Sequence, residues 1–416
     1  MHLNKRAKGS FNLKVKKKNK WIKKRHAVVL AILRAVLFPF LKFQYRVKLD
    51  KFKIKKGERY LILFNHQTPF DQFFIGTSIK GPIYYLATED IFSKGWVSSV
   101  IRFLVAPIPI KKQTNDIRAV LNCKRVANEG GSIALAPEGN RTYSGKTEYI
   151  KSSIAGLAKL LKLPIIFYKI EGGYGKQPRW SNSVRGGKMQ AGISKILQPE
   201  EYLHLSDDEL LKIIQTELYV NDNDYPQECT GKALAENMER LFYVCPKCGF
   251  ATFKTKGDVI TCDSCGLSAS YLPNKTFKPI SGDFNFKTVN DWYEYQCDFI
   301  RNTNLSGYVE KPAFTDESSL SEVVVYKRKT LIEKSVKVSL YGDKIVVDTK
   351  KERLVWNFSD VTAVSVLGRN KVNVYVNDKI YQFKSNKSFN AIKYVNFYYA
   401  YQNSIKGDSN EQFLGL

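Results

Sequence analysis

The chain has 416 residues, 44% of them hydrophobic, enough for two or three domains with real cores, which excludes a disordered protein. Its formal charge of +27, from 66 Lys and Arg against 39 Asp and Glu, narrows the partners to nucleic acid, an anionic membrane surface or acidic substrates. The first 49 residues hold fifteen Lys or Arg and no acid, leaving +12 for the other 367, so the excess is largely N-terminal.

Within that segment "KVKKKNKWIKKRH" runs into "AVVLAILRAVLFPFL", residues 27–41, a fifteen-residue apolar run interrupted by Arg34 and reaching Pro39. As a helix it is about 22 Å long, short of the roughly 30 Å of a bilayer core. A shallow or surface-lying helix on an anionic membrane is expected, with the lysines against headgroups and Trp21 at the interface. No small-residue cleavage site follows, so a signal peptide is not expected, and cysteines inside the cell would be reduced.

Beyond Asp50 the pattern alternates. "RYLILFN", "PIYYLAT", "APIPI", "GSIALAP" and "LPIIFYKI" read as strands, and residues 70–79, 94–104, 115–129 and 150–162 as helices. This predicts an α/β domain with a mainly parallel sheet covered by helices, whose function lies at the C-terminal strand ends. From about Leu205 an acidic, aliphatic helix is expected, then "NDNDYPQE" and a second helix ending in "MERLFYV". Residues 273–320 look irregular apart from a helix around "NDWYEYQCDFIRN", and β patterns follow Ser321, with turns at 342–343, 368–370 and 377–378 and a closing amphipathic helix.

His66, one of four histidines, stands where the first of these strands gives out, with Pro69 suited to the first turn of the next helix. Asp71, in that turn, can fold back onto the imidazole and fix its tautomer, which makes a general base with an orienter. A second polar turn, "LAPEGNRTYSG", brings Glu138, Gly139 and Arg141 to an adjacent strand end, and the fork of Arg141 suits a phosphate.

His66-Gln67-Thr68-Pro69-Phe70-Asp71 resembles the H-x4-D motif of the glycerolipid acyltransferases, the superfamily of 1-acylglycerol-3-phosphate acyltransferases. Residues 136–142, "APEGNRT", resemble the family's F-P-E-G-T-R-S block, "APIPIKK" falls where it has G-x-x-F-I-D-R, and Leu163-Pro164-Ile165-Ile166 looks like its last block. Lys112 replaces the usual Arg, Lys111 an Asp and Asn140 a Thr, so the acceptor is less determined than the chemistry. The resemblance implies direct acyl transfer, without metal, from acyl-CoA or acyl-acyl carrier protein to a lysophospholipid, most simply lysophosphatidic acid. His66 and Asp71 would then be catalytic, Lys112 and Arg141 would hold the acceptor phosphate, and Glu138 and Gly139 would complete the acceptor site. Glycerol 3-phosphate or another lysolipid is the alternative acceptor.

Cys245 and Cys248, then Cys262 and Cys265, form two C-x2-C knuckles thirteen residues apart, each followed by Gly, the spacing of a structural zinc ribbon. Cys123, Cys229 and Cys297 lack such partners and read as ordinary thiols. The expected segments are a basic membrane-interfacial one at 1–49, the acyltransferase domain at 50–240, a zinc ribbon at 241–272, a connector at 273–320 and a β-rich domain at 321–405. That last segment resembles the pleckstrin-homology-like superfold. A nucleic-acid partner is not expected, because the charge lies beside an apolar helix rather than on the ribbon; a catalytically silent membrane scaffold is the other class of reading. The location implied is the cytoplasmic face of a membrane.

Overall fold

The computed structural model describes residues 20–88, 90–110, 116–324, 327, 329–385 and 388–406. The α/β half opens with helix α1 (Lys24–Tyr45) and strand β1 (Val47–Leu49), then β2 (Leu61–Phe64), α2 (Asp71–Ser78), β3 (Ile83–Thr88), α3 (Trp96–Val105) and β4 (Ile108–Ile110). It continues through α4 (Ile117–Asn128), β5 (Ser132–Leu135), α5 (Ser153–Leu161), β6 (Ile165–Glu171), β7 (Met189–Leu197) and α6 (Asp207–Leu218).

Among the described residues seven strands form one sheet in the order β1-β7-β6-β2-β5-β3-β4. The pairs from β6 through β4 are parallel, as their apolar runs predict, whereas β7 is antiparallel to β6 and parallel to β1. The sheet is therefore mixed. β2 is central and wholly buried, so the residues after Phe64 emerge mid-sheet, between the ends of β5 and β6.

Helix α1 extends beyond residues 27–41 at both ends. Its 22 residues span about 33 Å, so length no longer excludes a crossing. One side packs lengthwise on the domain: Arg34 Nε donates to Gly76 O at 2.9 Å, Tyr45 Oη to Gln177 Oε1 at 2.6 Å, and His26 lies against Tyr84. The other side leaves Val28, Ile32, Val36, Phe40 and Phe43 exposed in one stripe. Trp21, half-buried, donates its indole N–H to Ala106 O at 2.9 Å.

The helix expected to end in "MERLFYV" is absent. Only a short turn at Met238–Arg240 forms, preceded by Asn237 at φ +61°. The backbone N–H groups of Tyr243 and Val244 go instead to Gln296 Oε1 at 2.8 and 3.3 Å. The cysteine module follows, with antiparallel strands β8 (Phe253–Lys256), β9 (Val259–Cys262), β10 (Ser268–Tyr271) and β11 (Phe277–Ser281). Residues 273–320 are more regular than their sequence suggests: they hold β11, helix α7 (Val289–Asn302) and the start of the next sheet.

That sheet comprises β12 (Phe314–Glu322), β13 (Thr330–Leu340), β14 (Lys344–Asp348), β15 (Arg353–Asn357), β16 (Val361–Leu367), β17 (Lys371–Val376) and β18 (Lys379–Lys384), ordered β15-β14-β13-β12-β18-β17-β16. It is antiparallel throughout, with register shifts in β12 where that strand passes from β13 alone to lying between β13 and β18. Helix α8 (Ile392–Lys406) packs on it. Asn377 and Asp378, both at positive φ, make the two-residue turn their sequence predicts. One continuous core joins this sheet and α8 to α7, the cysteine module, Trp180 and Tyr143.

Candidate functional site

Strand β2 ends in Asn65, whose side chain exchanges two 2.8 Å hydrogen bonds with the backbone of Ile170 and so ties the strand end to β6. His66 comes next, one quarter exposed, and its Nδ1 lies 2.7 Å from Asp71 Oδ2. Asp71 itself has no exposed surface. It accepts from the Gln67 N–H at 2.8 Å, the Thr68 N–H at 3.0 Å and the Thr68 hydroxyl at 2.6 Å. With donors on every side of the carboxylate, Nδ1 must be the protonated nitrogen, and Nε2 carries the free lone pair. Burial lowers the His66 pKa, outweighing the raising effect of Asp71; Arg141 and Arg179 lower it further.

The P-E-G-N-R loop is stitched to this turn. Glu138 Oε1 accepts the His66 N–H and Oε2 the Glu148 N–H, both at 2.8 Å, and the Thr142 N–H donates to His66 O at 2.9 Å. Glu138 thus positions the backbone of His66 directly. Burial pushes its carboxyl well above the usual carboxylate range despite those two N–H groups. Gly139 turns the loop at φ +74°, a conformation side chains disfavour. Arg141 sits behind the loop, donating to Gln67 O at 3.1 Å and Gln177 O at 2.6 Å, and burial lowers its pKa to about 9. Lys112 lies outside the described residues.

A cavity of about 860 Å³ opens beside His66, Glu138 and Gly139. Its wall is mostly apolar, built from Leu30, Leu33 and Leu37 of α1, Ile101 and Leu104 of α3, and residues of α4 and α5, with Arg34, Asp116, Glu148 and Lys151 among its polar groups. The outer faces of the same helices expose Trp96 (77%), Val100, Phe103, Ile117 and Leu121, beside the Phe43 stripe (86%) of α1. Its volume is that of a small-molecule site, with the imidazole as one of its polar groups.

Comparison with known proteins bears on this region. Residues 46–169 match the family model described as Acyltransferase. The matched segment contains His66, Asp71, Glu138, Gly139 and Arg141. Among solved structures, the chain resembles the 1-acyl-sn-glycerophosphate (LPA) acyltransferase PlsC from Thermotoga maritima at 20% identity and TM-score 0.39, over 46% of this chain and 78% of that one. It also resembles the N-terminal PH domain of human ARAP2 at 18% identity and TM-score 0.17, over 23% of this chain and 82% of that one. No curated protein matches the chain.

The four cysteines converge on one another, and none of them lines the cavity. Their sulfurs all lie within 4.8 Å of one another, with Cys245–Cys265 and Cys248–Cys262 each at 3.6 Å. Tetrahedral zinc with bonds of about 2.3 Å separates its sulfurs by roughly 3.8 Å, whereas a disulfide needs about 2.05 Å. The donor set and spacing fit a metal ion.

Three residues with parts in the site went unread in the sequence. Gln67 Oε1 accepts the N–H groups of Gly173 and Tyr174 at 2.9 and 3.2 Å, Glu148 anchors the loop, and Arg179 reaches it from another segment. Thr68, a fourth, donates its N–H and hydroxyl to Asp71 three residues on, a local pairing that the sequence spacing does carry.

Proposed function

We propose that the protein is a membrane-associated acyltransferase that moves an acyl group from a thioester to the free hydroxyl of lysophosphatidic acid, giving phosphatidic acid. The observation that carries this reading is the His66–Asp71 pair at 2.7 Å, within the matched residues, with His66 lining a mostly apolar cavity. Nε2 of His66 takes the hydroxyl proton, and the oxygen attacks the thioester carbonyl. The C–O bond forms, the C–S bond breaks, and the leaving thiolate takes the proton back from the imidazolium. No covalent enzyme intermediate is needed.

In this reading the cavity holds the acyl chain, and Arg141 and Lys112 are the residues that bind the acceptor phosphate. Glu138 and Gly139 keep His66 in register from within the cavity wall. The donor is acyl-CoA or acyl-acyl carrier protein. The exposed stripe of α1 and the outer residues of α3 and α4 rest in the interface of an anionic membrane on its cytoplasmic face, where an acceptor in the bilayer reaches the cavity mouth. The four cysteines would hold a structural zinc ion, and the C-terminal sheet with α8 is read as pleckstrin-homology-like.

The test is acyl transfer by purified protein to lysophosphatidic acid in anionic vesicles, beside His66→Ala. Phosphatidic acid from the wild type alone is expected. Equal product from both proteins, or none from the wild type with any lysolipid or glycerol 3-phosphate, rejects the assignment.

A further inference from the structure

The C-terminal sheet does not hang free of the acyltransferase domain. Arg179, 2% exposed, donates from Nη1 to Arg141 O at 2.8 Å, from Nη2 to Asn140 Oδ1 at 3.2 Å, and from Nε to Gly368 O at 3.0 Å. One guanidinium thus ties the P-E-G-N-R loop to the turn between β16 and β17. Asn140, where the family has Thr, is one of its acceptors. The turn is fastened again at Lys371, whose Nζ lies 3.3 Å from Asp90, while Lys329 holds the other oxygen of that carboxylate at 2.9 Å. Asp90 follows β3, which lines the cavity.

This fastening brings Arg369, beside Gly368, within one guanidinium of the Arg141 backbone. Arg369 is half-buried and gives one N–H to Asn182 Oδ1 at 3.1 Å. Its charge is felt at Arg141 and at Tyr45. Among the described residues no carboxylate is bonded to Arg141, Arg179 or Arg369. Glu236, the acid whose charge Arg369 feels, is turned to Ser181, Ser183 and the Asn182 N–H. Asp71 and Glu148 offset part of the charge on Arg141 and Arg179 without bonding to either, and the like charges that remain repel one another, an arrangement that an anion relieves.

We propose that the turn after β16 makes the C-terminal domain part of the acceptor site: Arg369 grips the acceptor's phosphate monoester together with Arg141, and Arg179 is the positioning residue that holds turn and loop in register. This rests on the acyl-transfer reading for the identity of the acceptor, and goes beyond it in assigning a contact outside the matched domain.

The test is calorimetric titration of the full chain with inorganic phosphate, and separately with a soluble short-chain lysophosphatidic acid, for wild type, Arg369→Ala and Arg369→Lys. Wild type should bind both. Arg369→Ala should weaken both by about tenfold with an unchanged melting curve, and Arg369→Lys should recover part of the loss. In turnover, Arg369→Ala should raise the KM for lysophosphatidic acid by a similar factor while kcat and the KM for the acyl donor hold. Arg179→Lys should lower kcat as well, because the loop carrying Glu138 loses its register. Wild-type affinity for phosphate in Arg369→Ala, or no phosphate binding by wild type, overturns the proposal. Weakening with inorganic phosphate alone overturns the acceptor assignment. Failure of the acyl-transfer reading shows separately, as absence of product from wild type, and leaves the binding arm to decide on Arg369.

Discussion

At the scale of single residues, the site turns on which nitrogen of His66 carries the proton. Thr68 and the backbone of Gln67 already donate to Asp71, so the carboxylate fixes Nδ1–H and leaves Nε2 basic. Burial lowers the His66 pKa below 6.5 in spite of that partner, which keeps the base unprotonated at neutral pH. The sign follows: the imidazolium accumulates only as pH falls below the depressed value. Plotted against pH, kcat/KM should therefore be flat near 7 with an acid limb centred below 6.5; a limb centred above 6.5 contradicts the assignment. Asp71→Asn removes a raising influence, so the limb should move further toward acid. His66→Ala should cost about 10²–10⁴-fold in kcat with the fold retained by circular dichroism. The pair was legible in the sequence because both partners lie within one turn. Arg179 was not, because its acceptors stand 38, 39 and 189 positions away, the last of them in another domain.

Elements set how firmly that pair is held. The short turn beginning at Gly173 presses against the His66–Asp71 turn so closely that a Cβ on Gly173 would stand 2.8 Å from Thr68 Cγ2 and 2.9 Å from Gln67 Oε1. Gly173→Ala should push Thr68 off Asp71 and lower kcat, with little effect on the KM for the acyl donor; unchanged kcat would show that the turn yields without moving His66. For α1, hydropathy marked residues 27–41 but understated the helix. Its ends, Lys24–His26 and Lys42–Tyr45, are polar in sequence and held by contacts with the domain. Strand β7 escaped notice because its burial does not alternate cleanly and its pairing with β6 is shifted in register. The exposed stripe of α1 gives a separable expectation: Val36→Glu with Phe40→Glu should reduce cosedimentation with anionic vesicles without changing the melting temperature. Retained vesicle binding would place the membrane contact elsewhere.

For the whole molecule, the cysteine module is where two halves share a core. Cys245 follows Tyr243 and Val244, whose N–H groups rest on Gln296 of α7. Trp292, on the same helix, donates to Val244 O at 3.0 Å and stacks on Phe242 at 3.7 Å. From there the core runs unbroken to the C-terminal sheet and to Tyr143 of the site loop. Cysteine spacing alone made the four-thiol cluster legible, since the knuckles are local, but not this position at the joint, which depends on contacts between distant segments. Truncating Trp292, 1% exposed, should destabilise the chain by about 3–5 kcal/mol. Metal should act through the same path. Four thiolates about one ion leave no open coordination position, so zinc would contribute folding energy rather than chemistry. Elemental analysis should find one zinc per chain, and Cys262→Ser should lose it. A strong chelator should lower the melting temperature of the wild type and weaken phosphate binding with it, because Gly368 and Arg369 keep their place against Asn140 and Arg141 only while the sheet behind them is supported. Melting that ignores the chelator would mean the thiols hold no structural metal. Melting that falls while phosphate affinity stays fixed would mean that the clasp through Arg179 stands without the core behind it.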